Sequence, residues 1–167
     1  MSDRKRRRSY EAGHRPKYLV VVDETPEWDR ALYYAARRCA RNGAALLTLN
    51  VIVPEREAQA WLGVEDIMRA EAEAKAEAIL EKAAARARTI AGIEPEKIVR
   101  EGQKAEVILE LIEQDEDISS LILAAGTGNE GPGPLVTAFA SKTISAFPIP
   151  ATIVPGALTD EEIDALA

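Results

Sequence analysis

Tyr18-Leu-Val-Val-Val22 is an unbroken apolar run between Pro16 and Asp23. Five residues are too few for a helix, and no polar residue alternates with the apolar ones. The run therefore reads as a strand covered on both faces, the kind that parallel sheets contain. The next stretch is helical. Thr25 stands where it can cap a helix, with Pro26 at the first position, and Trp28–Arg41 continues to a stop at Asn42-Gly43. Ala45–Val53 is a second apolar strand, and Pro54–Leu62 a connector.

The same alternation runs to the end of the chain. Val64–Ala91 is rich in Ala, Glu, Lys and Arg, and places Ile67, Met68, Ala72, Ile79, Leu80 and Ala83 at helical spacing. Ile98–Glu101 is a weaker third strand, and Gln103–Gln114 a helix with Val107, Ile108 and Leu111 inward. Ile118–Ala125 is the fourth and most apolar strand. A loop, Gly126–Pro134, leads to a helix over Leu135–Phe147 and a fifth strand, Ala151–Val154. Thr159–Leu166 reads as a short helix capped by Thr159, with acids in its first turn. Strand and helix alternating through five strands predict one doubly wound α/β sandwich: a mostly parallel sheet with helices on both faces. Residues 1–16 read as a disordered basic tail, 17–156 as the α/β domain and 157–167 as a helical tail.

Composition narrows the function. The 167 residues hold one cysteine, Cys39, and one histidine, His14, in the polar N-terminal segment. A disulfide framework, a cysteine metal cluster, a multi-histidine zinc site and a Ser-His-Asp triad all need more than that. Cys39 falls inside a helix and is expected to be buried and inert. Of the 21 Lys/Arg, seven lie in residues 1–17 with two of the 28 acids. That leaves 14 bases against 26 acids, a net charge of −12, for the body. So acidic a body repels nucleic acid; only the tail, Arg4–Arg8, attracts it. No apolar run reaches the roughly 18 residues of a membrane span, and nothing apolar follows the basic start, so the chain reads as cytoplasmic.

In such a sheet, ligands bind beyond the carboxyl ends of the strands where strand order reverses. Two stretches qualify. Asp23-Glu24-Thr25 follows the first strand. Gly126-Thr-Gly-Asn-Glu-Gly-Pro-Gly-Pro134 follows the fourth, and its four glycines, Gly126, Gly128, Gly131 and Gly133, let backbone approach a ligand. Each has a plain structural counterpart: Asp23 can serve the first turn of the next helix, and glycine with proline is ordinary turn chemistry. Trp28 and Trp61 read as packing residues. Glu113-Gln-Asp-Glu-Asp117 lacks the glycine and spacing of a calcium loop and reads as a solvated connector. A phosphoacceptor domain is excluded by strand ends at Leu-Ala-Ala-Gly126 and Ile-Val-Pro54, which offer no acceptor aspartate and no lysine.

With these residues in place, the sequence resembles the universal stress protein family. The carriers are the strand ending Val-Val-Asp23, the second ending Asn50-Val51-Ile52, the glycine loop, and Phe147-Pro-Ile-Pro-Ala-Thr-Ile-Val154, over about residues 17–155. The resemblance implies strand order 3-2-1-4-5 and a homodimer through the last strand. It also implies that Asp23 and Val51 stand where ATP-binding members hold adenine. Those members carry Gly-x-x-Gly, nine residues, then Gly-Ser or Gly-Thr. Gly128-x-x-Gly131 supplies the first part, but Ser141-Lys142 and, counted back from Pro150, Thr137-Ala138 lack the later glycine. Val21 stands where proline is common.

Chemistry points the same way. Pro132 and Pro134 have no N–H to offer a phosphate, and Glu130 adds a charge of the wrong sign. Two lost donors and one repulsion sum to ~3 kcal/mol, roughly a hundredfold in affinity. The expectation is a homodimeric binding or regulatory domain of stress response, without a cofactor and without catalysis, acting on a protein partner and holding adenine nucleotide weakly. The alternatives are an ATP-binding member with slow hydrolysis, using Asp23, Thr25, Val51 and the loop glycines, and a tail-driven binder of nucleic acid or anionic surfaces.

Overall fold

The computed structural model describes residues 4–54, 64–140 and 144–167. Five strands, β1 (Lys17–Val21), β2 (Ala45–Ile52), β3 (Glu96–Glu101), β4 (Ile118–Ala125) and β5 (Ala151–Pro155), form one parallel sheet in the order β3-β2-β1-β4-β5. The central strands are those with the longest apolar runs, as burial on both faces demands. The helices are α1 (Trp28–Asn42), α2 (Val64–Ala91), α3 (Lys104–Gln114), α4 (Pro134–Ala140) and α5 (Asp160–Leu166).

Alternate side chains of each strand feed two cores. On one face Val20, Val22, Leu46 and Ile122 pack against α1, α2 and α5. On the other Leu19, Val21, Leu49 and Leu121 pack against Val107, Ile108, Leu111 and Ile112 of α3 and Phe139 of α4. Phe139 meets Phe147 edge-on at 4.9 Å. The capping box at Thr159 forms as its sequence requires: Thr159 Oγ1 accepts from Glu162 N, and Glu162 Oε2 accepts from Thr159 N.

Several local expectations give way. The first helix begins at Trp28 with Glu27, two residues past Thr25, at its N-cap position, and no side chain caps it; Thr25 instead donates to Asp23. Of the helix expected over Leu135–Phe147, the described residues show Pro134–Ala140 as α-helix and Ile144–Ala146 as a 3-10 turn. In α2 the buried positions are Ala76, Leu80, Ala83, Ala84, Ala87 and Ile90, while Ile67 is 62% exposed. The cause is length. At 28 residues α2 is ~42 Å long, whereas the eight-residue β2 spans only ~26 Å, so the first turns overhang the sheet. Trp61, Ser141 and Lys142 lie outside the described residues.

The basic N-terminal segment, expected to be disordered, lies against the sheet's amino-terminal end. Arg7 Nη1 donates to the carbonyls of Ile112 at 2.6 Å and Asp115 at 3.0 Å, closing the C-terminus of α3. Arg8 N donates to Glu116 O, Lys5 pairs with Glu116 at 3.2 Å, and His14 Nδ1 lies 2.7 Å from Asp117 Oδ1. Ser9 is buried. The acids at 115–117, read as a solvated connector, are the partners of this strap and of Lys17, whose ammonium is 2.7 Å from Asp115. Charge complementarity between segments a hundred residues apart holds it there.

Candidate functional site

A cleft of about 1020 Å³ opens at the carboxyl ends of β1 and β4, where the strand order reverses. That is room for a nucleotide-sized ligand. Val21, Asp23, Thr25, Glu27 and Trp28 line one side, and Gly126 with residues 128–138 the other. Lys104, the first residue of α3, completes the wall.

Asp23 sits at the end of β1 and is pinned by a tight turn. Its Oδ1 accepts from Thr25 N at 2.9 Å and from Thr25 Oγ1 at 2.5 Å. Its Oδ2 is 3.7 Å from Lys104 Nζ. Below it, the buried Asn50 donates Nδ2 to Val22 O at 2.8 Å and ties the ends of β1 and β2 together. Glu24 points away and pairs with Lys75.

The glycine loop folds back on itself. Gly126 N donates to Pro132 O at 2.9 Å, and Gly131 and Gly133 adopt φ of 88° and 106°, open to glycine without strain. Glu27 comes against the start of the loop: a β-carbon added at Gly126 would stand 3.6 Å from its Oε1. Thr137 spends both its N–H and its hydroxyl on Gly133 O, at 3.0 and 2.8 Å. Pro132 and Pro134 line the cleft and bring no donor; Glu130 lines it too.

Of the residues picked from sequence, Asp23, Thr25, Gly126, Gly128, Gly131 and Gly133 come together around one cleft. Val51 does not line it. It is 8% exposed and packs in the core that α3 covers. Trp28 both lines the cleft and packs against the α1 core, so its packing role holds. Sequence reasoning missed Lys104. The available signal was its place directly after Glu101-Gly102-Gln103, at the carboxyl end of a strand, where a basic side chain is carried to the rim. Among the described residues no group of carboxylates, histidines or thiols is arranged to hold a metal. No described helix is long and apolar enough to cross a membrane.

The model of the universal stress protein family matches residues 15–155, most of the chain. The chain belongs to the universal stress protein family. Solved structures repeat the fold at low identity. The universal stress protein UspA from Lactobacillus plantarum is 18% identical, with a TM-score of 0.66 over 83% of this chain and 97% of that one. A universal stress protein from Archaeoglobus fulgidus in complex with dAMP is 18% identical, with a TM-score of 0.55 over 83% and 96%. An Arabidopsis thaliana family protein with AMP bound is 20% identical, with a TM-score of 0.56 over 87% and 94%. A search of curated proteins found no match. Within the universal stress protein fold, the cleft lies beyond the carboxyl ends of the strands, and the Thr137 hydroxyl on its lining already serves Gly133.

Proposed function

We propose that this universal stress protein acts by binding and not by catalysis, as a homodimer in a stress or regulatory role. Its cleft takes adenosine or its monophosphate and holds ATP weakly. One observation carries the reading: the cleft's described lining sets three carboxylates, Asp23, Glu27 and Glu130, against one cation, Lys104. A triphosphate entering that field meets repulsion and, at Pro132 and Pro134, no amide donors, while a nucleoside meets neither. The neighbours solved with dAMP and AMP support a ligand of this size in the fold.

The dimer reading rests on the two sheet edges. β3 is guarded by charge, with Lys97 tied to Glu81 at 2.6 Å. β5 bears Ala151, Thr152 and Ile153, the last 39% exposed and uncharged, which suits pairing with a second copy.

Calorimetry with adenosine, AMP and MgATP tests the ligand. AMP should bind more tightly than MgATP, and Glu130→Gly should strengthen MgATP binding. A dissociation constant for MgATP at or below ~10 μM, about −7 kcal/mol, refutes the reading. Sedimentation at micromolar concentration tests the dimer. Ile153→Lys should weaken it, and a monomeric wild-type chain would refute it.

A further inference from the structure

Only half of the Asp23 carboxylate is free. Oδ1 is filled by the two Thr25 donors. Oδ2 faces Lys104 Nζ at 3.7 Å, too far for a hydrogen bond. Among the described residues Lys104 has no other ion pair, and Glu24, the next acid along, is occupied by Lys75. An acceptor and a donor therefore stand side by side in the cleft wall. Their side chains are 23% and 33% exposed and neither is committed to a hydrogen bond there.

This spacing and polarity match one edge of a 6-aminopurine, where an amino group donates and the neighbouring ring nitrogen accepts. We propose that Lys104 is a base-reading residue: it donates to the ring nitrogen beside the 6-amino group while Asp23 Oδ2 accepts from that amino group. The proposal rests on the cleft being a nucleoside site. It disfavours guanine. Guanine's O6 and N7 are both acceptors and would turn a lone pair onto Oδ2. Turned to present N1–H, guanine would bring its 2-amino group to Oδ1, which Thr25 already fills, and an unpaired donor is costly.

Calorimetry with adenosine, AMP, 1-deaza-AMP, 7-deaza-AMP and GMP, on the wild-type chain and Lys104→Met, tests it. Methionine keeps the stem and removes the donor. The wild-type chain should prefer AMP to GMP by tenfold or more. Lys104→Met should lose about tenfold for adenosine and AMP alike, and nothing for the deaza analogue that lacks the contacted nitrogen. A loss confined to AMP would make Lys104 a phosphate ligand and overturn the proposal. So would equal losses on both deaza analogues, or a wild-type preference for GMP. Purine binding without that pattern sinks the base reader and leaves the cleft reading standing. Failure of every purine to bind sinks both.

Discussion

Gly156 follows β5 and lies against the end of β4, and its replacement by alanine would strain the chain where the cleft begins. A β-carbon at Gly156 would stand 2.2 Å from Ala125 O and 3.0 Å from Thr127 Cγ2. The first contact is about 1 Å inside ordinary carbon–oxygen approach. Neither side yields easily. Ala125 is paired in register with Pro155, and the next residue, Gly126, is bonded through its N–H to Pro132 O at 2.9 Å. Overpacking against fixed backbone costs about 2–3 kcal/mol. For a chain of this size that lowers Tm by about 5–10 °C. The carbonyl shift also displaces Gly126, so nucleoside affinity should fall with stability. Gly128→Ala is the control, since its added carbon meets no atom within 4 Å and its φ is not positive. It should change stability by less than about 0.5 kcal/mol. Urea and thermal unfolding of both variants, with nucleoside titration, provide the assay. Wild-type stability for Gly156→Ala, or equal destabilisation by Gly128→Ala, would refute the reasoning.

Three further outcomes are expected. Burial disfavours the charged Asp29, but hydrogen bonds from Arg86 and Arg30 outweigh it and hold its pKa below the ordinary 3.8. A depressed carboxylate stabilises the fold above its unfolded value and loses that contribution as pH falls toward the folded one. The urea midpoint should therefore fall as pH drops below about 5, through the ordinary Asp value toward the lower folded one, and fall less in Asp29→Asn; identical slopes would show that Asp29 contributes nothing. Burial pushes the Cys39 thiol up to about 12, so a disulfide reagent at about pH 8 should label it only after denaturation. Arg7→Ala should uncap α3, cost about 1–2 kcal/mol and speed trypsin cleavage within residues 4–8; unchanged cleavage would mean that the strap is not held by Arg7.

Short-range patterning was legible before any fold was known. Apolar runs placed all five strands, and the boundaries Val64–Ala91 and Ile118–Ala125 match the structure residue for residue. The acid after the first strand and the loop glycines were found because the cleft sits where strands end, a property of the alternation itself. Features that depend on distant partners emerged only with the folded chain. Asp23 meets Lys104, carried in by α3. Val51 stays in the core. The basic strap finds its acids about a hundred residues away. Long charged side chains have many rotamers and no period, so their partners are chosen only once the sheet has brought remote segments within a few ångströms.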